Sequence, residues 1–127
     1  MNGPHKNLKV WSEGMMLVTE VYRATYNFPK AEVYALASQM QRAAVSITSN
    51  IAEGYGRNTN KELISFLYIS LGSSNELDTQ LEVARNLSYI DDECYCKLDV
   101  LNSGINKMLR SLIYKREHLD SQTTSKP

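Results

Sequence analysis

Gln39, Arg42, Ser46, Asn50 and Glu53 recur at steps of three, four, four and three. That spacing sets an amide, a guanidinium, a hydroxyl, a second amide and a carboxylate on one helical face. Ser73, Glu76 and Gln80 repeat it further along, in line with Phe66 and Ile69. If the two segments pair as antiparallel helices, Arg42 meets Glu76 while Asn50 and Glu53 lie toward Gly54. Such a line could form a binding groove, or an acid/base site built on Glu53 or Glu76. General acid/base work needs a second group within hydrogen-bond reach of the first. A carboxylate and a guanidinium without a base or a metal define no reaction, so the simpler reading is a polar seam that fixes register between helices or subunits.

Other chemistries lack their parts. Gly54-Tyr55-Gly56 follows a helical pattern and lacks the further glycine or the lysine-threonine pair of a phosphate loop. His5 sits in the N-terminal lead and His118 near the tail, so neither the Glu-x-x-His pairs of a di-metal bundle nor a Ser/His/Asp set can be assembled. Cys94 and Cys96 are two residues apart, about 200° around a helix, and cannot hold one ion together. They are expected to be reduced thiols. No catalytic residue, metal or cofactor is expected, and the chain reads as non-enzymatic.

Arg57 and Lys61, with Lys30 and Arg42, would make a modest cationic area around the Gly54 turn, where Tyr55 could stack on a base or a partner ring. The plainer alternative is a tyrosine covering the bundle end, with the charges in water. The 14 Lys and Arg residues balance 14 Asp and Glu residues, and the pI is about 6.7. That argues against a strongly basic nucleic-acid binder, whose pI would exceed ~9, and leaves room for a local patch. No apolar run approaches the ~18 residues of a membrane span, and the N-terminus lacks a signal-peptide core. A soluble cytoplasmic protein with no membrane partner is expected.

These residues need helices to position them. The 127 residues make one domain, able to bury roughly two thirds of its unfolded surface. Ends at about 1–6 and 120–127 read as loose. Leu8, Trp11, Met15, Val18, Tyr22 and Thr25 give a first helix its main seam, with Val10, Leu17 and Val21 as a second stripe; two stripes suggest two neighbours. Gly14 lowers helix propensity there but permits close approach. Pro29 and Glu32 suit the first turn of a second helix. Its inward residues are Val33, Leu36, Met40, Ala43, Ala44, Ile47 and Ile51, and it ends at Gly54, read with Gly56 as a C-cap and turn.

Thr59-Asn60-Lys61-Glu62 fits a capping box opening a third helix. That helix's seam is Leu63, Leu67, Ser70, Ser74, Leu77, Leu81 and Ala84. Its small-residue middle, with Gly72 and Ser73, is expected to lie close against Ala43, Ala44 and Ser46. Asp91 or Asp92 caps a fourth helix with Tyr95, Leu98, Leu101, Ile105, Met108 and Leu112 inward. Nothing alternates like a strand. The expected architecture is all-α, an antiparallel up-down-up-down four-helix bundle.

Two strings give the chain a family resemblance. One is Phe28-Pro29-Lys30-x-Glu32 followed by Leu36-x-x-Gln39-x-x-Arg42-Ala43-Ala44-x-Ser46-Ile47-x-x-Asn50-Ile51-Ala52-Glu53-Gly54-x-Gly56-Arg57. The other is Lys61-Glu62-x-x-x-Phe66-Leu67, with Gly72-Ser73-x-x-Glu76-Leu77 downstream. From Leu8-x-x-Trp11 to the fourth helix the chain resembles the bacterial four-helix bundle family encoded by intervening sequences of 23S ribosomal RNA genes. The resemblance implies a homo-oligomer, a ring-like pentamer, acting as an interaction or scaffold module. It also implies kinship with the accessory protein of diversity-generating retroelements, which engages a reverse transcriptase and nucleic acid. A ribonucleoprotein role with an RNA or reverse-transcriptase partner is therefore the alternative expectation.

Overall fold

The computed structural model describes the backbone of residues 3–125 and the side chains of residues 3–119. Four helices follow a short 3-10 turn at Pro4–Asn7: α1 (Lys9–Thr25), α2 (Leu36–Tyr55), α3 (Asn60–Asn86) and α4 (Asp92–Ser125). No strand occurs among the described residues. The lead expected to be loose thus contains a turn at Pro4–Asn7, and α4 runs past Asp120 to Ser125. Residues 126 and 127, and the side chains from 120 onward, lie outside the described residues.

Cross-helix contacts fix the topology. Gly14 of α1 lies against Thr48 of α2, and Gln41 of α2 donates to Thr25 of α1 at 3.0 Å. Ser70 of α3 donates to the Ile47 carbonyl at 2.8 Å, and Gly54 sits on Leu63. Ser74 donates to Asn102 of α4 at 2.9 Å, while Asn60 donates to the Arg116 carbonyl at 2.8 Å. Lys97 of α4 returns to Glu20 of α1 at 3.0 Å. Along α1–α2, α2–α3 and α3–α4 the partner's number falls as the chain's rises, so consecutive helices are antiparallel. α1 packs on α2 and α4, and α3 packs on the same two. The fold is the up-down-up-down bundle that the patterning predicts.

The α3 seam is buried as expected, from Leu63 through Leu67, Ser70, Ser74, Leu77 and Leu81 to Ala84. The phase of α1 differs. Its buried line is Val10, Gly14, Leu17, Val21 and Thr25; Trp11 and Val18 are half-buried beside it, while Met15 and Tyr22 are exposed. The stripe expected to be secondary is the core stripe. The small Gly14 and the self-satisfied Thr25, whose hydroxyl donates to the Val21 carbonyl at 2.9 Å, fill the positions nearest α2.

α2 also starts later than expected. A 3-10 turn at Lys30–Glu32 and three further turn residues precede Leu36, so Val33 is 47% exposed. Pro29 and an acidic first turn suit a 3-10 turn as well as an α-helix, so the sequence signals cannot separate them. On α4 the fully buried line is Leu98, Asn102, Ile105, Leu109 and Ile113, flanked by half-buried Tyr95, Leu101, Met108 and Leu112. Each fully buried Leu or Ile contributes about 1.5–3 kcal/mol of apolar transfer.

Both joints at the ends of α3 are capped. Thr59 accepts the Glu62 amide at 3.2 Å, the threonine half of the capping box. At the far end Ser88 adopts φ 61°, with Ser88 N–H on the Arg85 carbonyl at 2.9 Å and Tyr89 N–H on the Ala84 carbonyl at 2.9 Å. That is a Schellman ending with serine in the left-handed position. Asp91 then accepts the Cys94 amide at 2.8 Å and caps α4.

Candidate functional site

The α2–α3 seam gathers part of the polar line. Ser46 and Ser73 share a hydroxyl–hydroxyl bond of 2.8 Å, and Asn50 donates to the Ser46 carbonyl at 2.8 Å and to its hydroxyl at 3.0 Å. With Ser70 bonded to the Ile47 carbonyl, small hydroxyl side chains let the two helix backbones approach while leaving few unmade hydrogen bonds. Glu76 accepts from Gln80 at 3.1 Å along its own helix. Gln80 is only 7% exposed, and its Oε1 has no hydrogen-bond partner among the described residues.

Gln39 and Arg42 are exposed, and no Arg42–Glu76 ion pair forms among the described residues. An exposed pair of this kind gains about 0–1 kcal/mol and loses side-chain freedom, so register alone does not enforce it. Arg42, Ser46 and Asn50 instead line a shallow groove along α2 together with Gln41, Val45 and, from α1, Tyr22. Gly72 differs from expectation too. It is exposed, and a Cβ built there meets nothing within 4 Å. The close approach is carried by Ser70 and Ser73; Gly72 faces outward.

Of the two turn glycines expected to form the C-cap, Gly56 caps α2 and Gly54 does not. Neither has positive φ. Gly54 is buried inside the last turn of α2, where a Cβ would stand 2.9 Å from Leu63 Cδ1 and 3.0 Å from Phe66 Cβ. It is glycine because α3 is too near for a side chain. Gly56, at φ −90°, is the cap residue, and its amide reaches the Ala52 carbonyl at 3.2 Å. Arg57 pairs with Glu53 at 3.0 Å and lies over the Phe66 ring at 4.8 Å. Arg116 lies over the half-buried Tyr55 ring at 5.6 Å, and Lys61 is exposed. Lys30 does not join this group: it precedes α2, whose 20 residues span about 30 Å.

A polar junction between α3 and α4 escaped the sequence reading. Asn102, 2% exposed, exchanges two bonds with Ser74: its Oδ1 accepts the hydroxyl at 2.9 Å and its Nδ2 donates to the carbonyl at 3.0 Å. Asn106 donates to the Ser74 hydroxyl at 3.1 Å and to Asn75 at 2.9 Å, and Arg110 donates to Asn106 at 3.0 Å. The available signal was Asn102 falling between Leu98 and Ile105 at core spacing.

Charge is sorted along the bundle axis although the chain is neutral overall. In the half holding the Gly54 turn, eight described cations stand with four carboxylates, Glu13, Glu53, Glu62 and Glu117. In the other half five cations stand with nine carboxylates, chiefly on the C-terminal half of α3 and the first two turns of α4. Three of the four ion pairs among the described residues, Arg23–Glu20, Lys97–Glu20 and Arg85–Asp92, lie in the acidic half. The Lys97 ammonium bonded to Glu20 holds that carboxyl below its usual range. Nearby, Tyr95 donates to Glu82, which pushes its phenol up to about 12. Burial, then Asp91, pushes the Cys94 thiol up.

The histidines stay apart: His5 meets Trp11 edge-on at 5.1 Å and His118 stacks on Tyr114 at 3.9 Å. No group of three or more His, Cys, Asp or Glu is placed to hold a metal among the described residues. No described helix is long and apolar enough to cross a membrane.

A crystal structure of a protein of unknown function from the S23 ribosomal protein family of Bacteroides thetaiotaomicron has a similar fold. It is 26% identical, with a TM-score of 0.75, and the match covers 82% of this chain and 97% of that one. No curated protein matches. The profile of the family described as 23S rRNA-intervening sequence protein matches residues 6–111, nearly all of the bundle just described. The chain belongs to the 23S rRNA-intervening sequence protein family.

Proposed function

We propose that the protein is a non-enzymatic helical module that assembles with copies of itself into a closed ring, a homopentamer as the resemblance implies, and acts as a scaffold in the cytoplasm. The observation that carries this is a pair of exposed apolar strips on opposite flanks of α2. On α3, Ile69, Val83 and Leu87 are 50%, 39% and 50% exposed, with the open Gly72 among them. Across α2, Met15 and Tyr22 of α1 are 42% and 48% exposed and Val45 is 38% exposed. Two different strips on one chain suit a heterologous contact, which closes into a ring when the rotation between subunits allows. Gly72 gives room for a neighbouring helix, and Gln80 Oε1 is a buried acceptor awaiting a donor. The two unpaired cysteines suit a reducing compartment.

The test is a complementation of interface variants. Ile69→Glu and Tyr22→Glu each spoil one strip and should each give monomers by light scattering. Mixed, they should form a one-contact heterodimer, because each retains the strip that the other lost. A mixture that stays monomeric while wild type is assembled contradicts the heterologous contact.

A further inference from the structure

We infer that the outer face of α4 in the basic half is a binding surface for single-stranded nucleic acid. Lys107, Arg110, Tyr114 and His118 follow at steps of three, four and four, and all four are exposed. They form one solvent-facing stripe of two cations, a phenol and an imidazole. Tyr114 is 62% exposed, and His118 is stacked on it at 3.9 Å while donating to its carbonyl at 2.9 Å. Arg110 is oriented by Asn106. Lys115 flanks the stripe, and Lys61 and Arg57 lie on the α2–α3 turn at the same end.

Two observations point to a polyanion with bases rather than to solvated charge. Lys61, Lys107 and Lys115 form no ion pair among the described residues, whereas three ion pairs occupy cations of the acidic half. The free positive charge is therefore concentrated where the rings are. Cations that track a phosphate backbone, interleaved with an exposed aromatic face, are the chemistry of single-strand binding, since every base offers a π-face for stacking. The acidic half repels the same polymer and so orients it on the basic end. The inference holds for one protomer; in a parallel ring the basic ends would gather on one face and add avidity.

Fluorescence anisotropy of a labelled single-stranded RNA 20-mer of mixed sequence tests it. Saturable binding is expected at 50 mM salt. Contact with about four phosphates would weaken it about 50-fold by 200 mM. Lys107→Glu combined with Arg110→Glu should abolish it. Tyr114→Ala should weaken it about five-fold or more. Arg23→Glu with Lys30→Glu, in the opposite half, should change it less than about two-fold. Light scattering on each variant should give the wild-type mass, which separates this result from the assembly proposal. No saturable binding at 50 mM salt overturns the inference. So does equal loss from the Arg23/Lys30 variant, or a duplex that binds as tightly and ignores Tyr114→Ala.

Discussion

Gly14 of α1 lies so close to Thr48 of α2 that a Cβ built on the glycine would stand 2.6 Å from the threonine Cγ2. The atom in the way belongs to a β-branched side chain whose χ1 is restricted in a helix, and the Thr48 hydroxyl, donating to the Val45 carbonyl at 2.9 Å, holds it in its present rotamer. It has little freedom to move aside. Gly14→Ala should therefore lower stability by about 1–3 kcal/mol through overpacking, outweighing the gain of up to ~1 kcal/mol in helix propensity. Combining it with Thr48→Ala should recover most of the loss. Urea melts of both variants check this; a Gly14→Ala protein more stable than wild type would sink it.

Ser88 predicts a change of the opposite sign. It holds φ 61° without being glycine, in a joint whose two cap hydrogen bonds do not involve its side chain. Ser88→Gly should relieve left-handed strain and stabilise the bundle by about 1 kcal/mol. Ser88→Val should destabilise it. Thermal melts decide, and a lower melting temperature for the glycine variant counts against the assignment.

The buried Asn102–Ser74 pair should show strong coupling. Asn102→Ala removes the acceptor of the buried Ser74 hydroxyl and the donor to the Ser74 carbonyl, and opens a small cavity, at a loss of about 2–4 kcal/mol. Asn102→Leu with Ser74→Ala replaces the pair by apolar groups and should recover a substantial part. A double-mutant cycle whose two changes simply add would show that the pair is not a unit.

Tyr95 gives a pH signature. Its phenol is pushed up to about 12 because it donates to Glu82, whereas an unfolded tyrosine ionises near ~10. Between these values the folded state keeps a proton that the unfolded state has released. This contribution is complete below pH ~10 and is lost as pH rises toward 12. Tyr95→Phe should flatten that part of the stability profile. The ultraviolet titration of wild type should show a late-ionising phenol that the variant lacks; identical titrations would contradict the bond.

The sequence was legible where size and polarity agreed. The α3 seam reads correctly from Leu63 to Ala84 because Leu and Ala occupy it at even spacing and Ser70 and Ser74 bond inward. It was misleading where helices come closest. Gly14 does permit the close approach its size suggests, but Gly54, which looks like a cap, is likewise a point where the neighbouring helix leaves no room for a Cβ, and Gly72, which resembles them, faces open space. Only tertiary distance separates the three. The large amphipathic Met15 and Tyr22 drew the α1 seam to the wrong phase for the same reason. Of the polar line, Ser46 and Asn50 meet Ser73 as the spacing suggests. Gln39 and Arg42 remain in solvent, because long exposed side chains are not fixed by register.

The account rests on self-assembly through the strips beside α2. Light scattering coupled to size exclusion, run from low to high micromolar concentration, measures it directly. One species with five times the 14.4 kDa chain mass, unchanged on dilution, is the predicted result. A single species of 14.4 kDa across that range would contradict it.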